Sequence, residues 1–262
     1  MIEPYVVQET NDYAVVFKPA KMHSASLTER DRKIFYREPH EPSQTEEKSD
    51  ATIYDWYFIY SGFNENINLM HRLDFETNGL VLFAKNEKSF NFFKDLQDRG
   101  EFTKEYSAVC VPTVDNVAGD GFPDNNLASL ALKISRESDL RLCEKKFAIE
   151  SYFRPYGKGR KLVRPVIEDG KKHKEIAKDK GGFYKTEVIS IKENIFTVQI
   201  KRGFRHQIRC HLCWACYPIL NDPLYPQCID LQPEELLALR SHALFFADPA
   251  NGKKLECRIT TL

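Results

Sequence analysis

The chain contains no run of about 18 consecutive apolar residues, so no transmembrane helix is expected. Its opening residues, Met1-Ile2-Glu3-Pro4, lack the charged-then-apolar pattern of an export signal. Charge of one sign is also missing: 38 basic and 38 acidic side chains cancel to a net charge of zero. A basic excess is the usual mark of a nucleic-acid binder, so any positive surface must come from the distribution of charge and not from its sum. Neither a Gly-x-Gly-x-x-Gly loop nor an Asp-Phe-Gly triplet occurs, and Leu73 interrupts the spacing of a His-Arg-Asp loop. Those absences exclude a protein kinase. Cysteine is present but odd in number, at seven. Without an export signal this points to reduced thiols and a cytoplasmic protein. What remains is 42% hydrophobic and 12% aromatic over 262 residues, enough for the core of one large domain or two small ones.

The most informative stretch runs from Leu69 to Lys85. His71, Arg72, Asp74, Glu76, Thr77 and Asn78 crowd its first half, and Leu80 to Ala84 forms a short apolar run behind the turn dipeptide Asn78-Gly79. Such a run reads as a buried strand, which would hold the polar loop on a rigid support. A lone Asp in such a loop usually bonds nearby backbone amides. Arg72 and His71 beside Asp74, with Thr77 behind it, point instead to an active site.

Around this stretch the expected elements follow from periodicity. Residues 5–9 and 13–18 read as strands about Asn11-Asp12, the second ending at Lys18-Pro19. From Ser24 to Asp50 the chain is polar and charged, which predicts a surface loop. Asp50 or Thr52 caps a helix over 52–61, with Ile53, Trp56, Tyr57 and Tyr60 on one face as core. Asn86 caps a second helix that ends at Gly100, followed by a strand from Thr103 to Val111 that carries Lys104 and Tyr106. Residues 112–182 are the least legible: Pro112 to Asn126 is loop-like, Lys133 to Glu150 mixes short apolar and charged pieces, and a basic run over 158–185 includes Lys158, Arg160, Lys161, Arg164, Lys171, Lys172, Lys174, Lys178 and Lys180. Some of these cations could contact phosphate. Tyr184 to Ile191 and Ile195 to Lys201 form a hairpin that delivers Arg202-Gly-Phe-Arg-His-Gln-Ile-Arg-Cys-His211, with a helix starting near His206. Pro233 starts a helix over Glu234 to Leu239, and strands 241–246 and 255–259 close the chain around the turn 248–252.

His71-Arg-Leu-Asp-x-x-Thr-x-Gly-Leu80 resembles the catalytic motif of RluA-type pseudouridine synthases, with Asn78 where that family usually has Ser. Lys104-x-Tyr106 resembles a second motif. Gly203-Phe-Arg-His-Gln-Ile-Arg-Cys-His211, followed by Pro218-Ile-Leu-Asn-Asp222 and Tyr225, resembles a third. Phe204 stands where the family has Arg, and Lys21, Cys216 and Asn221 stand where it has Gly. The resemblance implies one α/β (α+β) catalytic domain over 1–262, built around a long mixed, largely antiparallel sheet with flanking helices and a central cleft. No N-terminal RNA-binding module is expected.

The same resemblance implies isomerisation of uridine in ribosomal large-subunit or transfer RNA, with no cofactor, no metal and no membrane. Asp74 would be the nucleophile, Tyr106 would stack on the base, and Arg209 would hold Asp74. Arg72 would replace the flipped uridine, while His71, Thr77, Arg205, His206 and Gln207 would line the RNA. An Arg fork against a carboxylate keeps it ionised, as a nucleophile must be. The alternative is a catalytically silent RNA-binding relative. Cys210, Cys213 and Cys216 have spacing similar to part of an iron–sulfur ligand set. No fourth Cys follows at the usual offset, and the run falls inside the expected helix, so packing thiols are the reading.

Overall fold

The computed structural model describes residues 2–25, 51–111, 122, 146–158, 161–167, 183–225 and 235–262. The chain divides into two compact units, one comprising Met1–Phe102 with Ser241–Ile259 and the other Thr103–Arg240 with Thr260–Leu262.

The first unit begins with β1 (Tyr5–Glu9) and β2 (Tyr13–Lys18), paired antiparallel. Every residue of β2 is buried, as expected of an interior strand flanked on both edges. Helix α1 (Ile53–Tyr60) starts at Thr52, whose hydroxyl accepts from Asp55 N while the Asp55 carboxylate accepts from Thr52 N. This reciprocal capping satisfies two amides that the helix cannot. The aromatic face read from the sequence is split: Ile53 and Tyr57 are buried, whereas Tyr60 is 55% exposed. The short β3 (Asn68–Leu69) pairs with β4 (Asn78–Ala84), which also lies antiparallel to β2.

Strand β4 starts earlier than expected. Asn78-Gly79, read as a turn, is part of the strand, with Gly79 opposite Lys18. The reason is a close backbone approach: a Cβ on Gly79 would lie 2.2 Å from Ser241 O, and its φ is +123°. Only glycine fits there. Helix α2 (Glu87–Asp98) begins at the Asn86–Ser89 capping box and ends at Arg99, with Gly100 left-handed as anticipated.

The second unit contains β5 (Thr103–Val109), β6 (Phe147–Tyr156), β7 (Leu162–Val166), β8 (Tyr184–Lys192) and β9 (Ile195–Ile200), in the order β5-β9-β8-β6-β7. All four ladders are antiparallel. The poorly legible region 112–182 therefore supplies the β6–β7 hairpin. Its Arg160, Lys171, Lys172, Lys174, Lys178 and Lys180 lie outside the described residues. Helix α3 (Gln207–Trp214) packs against β7 and β8, and every one of its residues is buried.

The expected helix over 234–239 is not present in its described part. Glu235 to Ala238 are irregular, and Leu239 opens β10 (Leu239–Ala247). In the first unit β10 neighbours β4 and pairs with β11 (Lys254–Arg258). There Tyr13, Phe93 and Phe246 meet edge to face at centroid distances of 5.3–6.0 Å, the arrangement that aromatic quadrupoles favour. Each unit is thus a largely antiparallel sheet with helix packed on it, in keeping with the α/β class expected.

Candidate active site

In the first unit the polar loop before β4 is pinned from several directions. Ser24 Oγ donates to Leu73 O at 2.8 Å and accepts from Leu73 N at 2.9 Å, clamping the residue between Arg72 and Asp74. Ser24 was assigned to a surface loop by composition, but it is only 4% exposed. Thr77 N donates to Asp74 O. Lys18, fully buried at the end of β2, donates from Nζ to Pro19 O, Met22 O and Phe75 O at 2.8, 2.7 and 3.4 Å. Burial lowers its pKa to about 7, against which Asp74 and Glu76 act to keep it charged. The ammonium therefore ties two backbone segments together beneath the loop.

On that loop His71 is half-buried, with its ring 5.4 Å from Phe102, and Arg72 is exposed. Asp74 is half-buried. Thr77 is 2% exposed, and its hydroxyl makes no hydrogen bond among the described residues.

In the second unit Tyr106 sits on β5 opposite Val198, 5% exposed. Lys104, two residues earlier and on the same face of the strand, is equally buried, and burial lowers its pKa to about 8. The loop leading into α3 is held by its own motif residues. His206 takes a left-handed φ of 56°. Gln207 accepts from Phe204 N and donates to Lys185 O and Thr186 Oγ1. Arg205 is exposed, and its Nη2 donates to Leu162 O.

Arg209 is fully buried, and its fork closes on Asp222 inside this unit. Nε donates to Oδ2 at 2.8 Å and Nη2 to Oδ1 at 2.7 Å. Asp222 Oδ1 also accepts from Leu224 N and Tyr225 N, so the carboxylate is held in place before it orients the guanidinium. Tyr225 completes the arrangement, with its ring 5.6 Å from the Arg209 guanidinium and its hydroxyl 3.3 Å from His206 Nδ1.

A model of the RNA pseudouridylate synthase family matches residues 12–214. The chain belongs to that family. It is 30% identical over 159 residues to the mitochondrial tRNA pseudouridine(32) synthase of Saccharomyces cerevisiae, covering 61% of this chain and 28% of that one. It is 25% identical over 199 residues to an uncharacterized RNA pseudouridine synthase of Mycobacterium bovis, covering 75% of this chain and 53% of the relative. The chain thus spans between a quarter and about half of these relatives' lengths. In three dimensions, human RNA pseudouridylate synthase domain containing 1 aligns over 98% of this chain and 83% of its own, with a TM-score of 0.60 at 15% identity.

The departures from the family pattern now have physical accounts. Lys21, Cys216 and Asn221, the positions where glycine is usual, all adopt a left-handed backbone, with φ of 59°, 65° and 59°. Glycine is the residue best suited to that conformation. Phe204, at the usual Arg position, stacks on Phe153 at 5.0 Å and lies 5.0 Å from Tyr184. Cys210, Cys213 and Cys216 are buried, and burial drives the Cys210 pKa far up, as fits packing groups. Among the described residues no three His, Cys, Asp or Glu side chains converge as a metal site. Ser24 and Asp222 are the contributors that sequence reasoning did not assign. Asp222 carried a signal in its spacing from Tyr225, whereas Ser24 carried none.

Proposed function

We propose that this protein isomerises uridine in RNA to pseudouridine, with Asp74 as the nucleophile. The bond from the sugar to N1 of uracil breaks, the base turns, and a bond from the same sugar carbon to C5 forms. C5 loses a proton and N1 gains one, so atoms balance without a cofactor. The observation that carries this reading is the pinning of the Asp74 loop by Ser24 and Lys18 in a chain of this family. A nucleophile held by its backbone loses little freedom on reaction.

Tyr106 is the ring that stacks on the base, and Arg209, steadied by Asp222, is the basic residue that the third motif supplies to the reaction. Arg72, exposed beside Asp74, fills the space left by the flipped nucleotide. Flipping costs a few kcal/mol, part of which such an insertion offsets. His71, Arg205 and His206 line the RNA, while Thr77 and Gln207, both buried, support the motif loops from behind. Transfer RNA is the first substrate to test, given the yeast relative, and large-subunit ribosomal RNA the second.

The test is Asp74→Asn, which keeps shape but removes the charge and nearly all nucleophilicity. Assayed on RNA lacking the modification, the parent should form pseudouridine, and the variant should form none while still binding RNA. An inactive parent that binds RNA would instead indicate a silent binder, and an active Asp74→Asn would place the chemistry elsewhere.

A further inference from the structure

One end of the β6–β7 hairpin carries several cations in a stretch without acidic residues. In the sequence no Asp or Glu occurs between Glu150 and Glu168, nor between Glu193 and Asp222. The β6–β7 hairpin from Ser151 onward lies in the first of these stretches and the motif loop 202–206 in the second. Arg205 joins them, its Nη2 reaching the carbonyl of Leu162, the first residue of β7. Lys158 and Lys161, at the inner ends of the hairpin, are exposed, as is Arg205. Below them Arg154 faces Arg164 across the ladder, and both guanidinium groups lie over the Tyr156 ring, at 5.3 and 4.5 Å.

The opposite end of β6 is different. There Lys185 lies 2.8 Å from Glu187 and 3.9 Å from Glu150, so charge is cancelled locally. An ordinary solvated face mixes the two signs, as that end does. At the hairpin end Lys158 and Lys161 stand exposed within an acid-free stretch of sequence.

We propose that the β6–β7 hairpin is an RNA-binding arm, in which Lys158 and Lys161, continued by Arg205, hold phosphates of the RNA strand that flanks the modified nucleotide. This rests on the proposed reaction and extends it by naming the surface that grips the substrate away from the chemistry. Lysines on long stems suit this role, because a phosphate backbone asks for charge and not for a fixed hydrogen-bond direction. The aromatic rings and Arg164 beneath give the arm a stiff base: Arg164 is fully buried, with Phe122 4.3 Å from its guanidinium.

The experiment compares the parent with Lys158→Ala/Lys161→Ala, with the charge-keeping Lys158→Arg/Lys161→Arg, and with a control, Lys88→Ala/Lys94→Ala. The control pair is exposed on α2 beside Glu87, Asp95 and Asp98. RNA affinity is measured across salt concentrations, and pseudouridine formation is followed at steady state. Each phosphate contact contributes about 0.7–0.9 to the slope of log affinity against log salt, so losing two should lower the slope by roughly 1.4–1.8. The hairpin alanine pair should show that loss, with KM raised and kcat kept, while the arginine pair and the control match the parent. An unchanged slope for the hairpin alanine pair in an active enzyme overturns the arm alone. The same loss in the control pair also overturns it, since the effect would then be one of overall charge. A parent that neither binds RNA nor forms pseudouridine removes the arm together with the reaction on which it rests.

Discussion

Asp222 shows how much a single side chain can organise. Its carboxylate accepts from two backbone amides and from both arms of the Arg209 fork, and both partners are buried. Removing one member of such a pair leaves a charge in a low-dielectric surrounding without its counterion. Asp222→Ala is therefore expected to cost roughly 3–5 kcal/mol of stability, read from chemical denaturation. In folded variant protein, pseudouridine formation should also fall sharply, because Arg209 would no longer be steadied. Arg209 was singled out from its motif, as the partner of Asp74. Its buried partner was only a familiar spacing until the fold brought the two together, since thirteen residues of chain say nothing about a bidentate contact.

At the scale of elements, several left-handed turns are held by residues other than glycine. Lys21 follows β2 in a left-handed conformation that crowds a side chain against the following carbonyl, at a cost of about 1–2 kcal/mol relative to glycine. Lys21 is exposed, so its side chain loses little when removed. Lys21→Gly should raise stability by about 1 kcal/mol, somewhat less than the strain, because glycine also gains freedom in the unfolded chain. A shift of the denaturant midpoint to lower concentration would refute that account. The capped helices over 53–60 and 87–98 were readable because their caps and periodicity are local. Asn78-Gly79 was misread as a turn because the demand for glycine comes from Ser241, far along the chain. The apparent helix after Pro233 failed for a similar reason: Leu239 is claimed by the ladder of β10, and tertiary pairing overrides local propensity.

For the molecule as a whole, the clearest global consequence is acid sensitivity. His211 is fully buried between Ser151 Oγ and Thr186 Oγ1, each 2.8 Å from a ring nitrogen, and burial lowers its pKa to about 3. Its folded value lies below its unfolded value of 6.5, so between these limits the unfolded chain binds a proton that the native state refuses. The neutral ring's contribution is complete above pH 6.5 and is lost as pH falls, by up to about 1.4 kcal/mol per unit. Comparing urea midpoints of the parent and His211→Gln between pH 7 and 5 should show a steeper decline in the parent. Parallel curves would mean that His211 takes up its proton in the folded protein at the ordinary pH.

The amino-acid sequence by itself determined the family, the strand and helix segments with local signals, and the residue types of the Asp74, Tyr106 and Arg209 motifs. Periodicity, caps and short motifs are written in neighbouring residues, and neighbours suffice to read them. Only the tertiary structure decided that Ser24 clamps Leu73, that Lys18 lies under the Asp74 loop, and that Arg209 is locked by Asp222. It also decided that the unreadable basic region contributes the β6–β7 hairpin, joined to the third motif through Arg205. Each of these depends on a contact between segments distant in the chain. Such contacts follow from how strands register and what burial excludes, which no local pattern encodes.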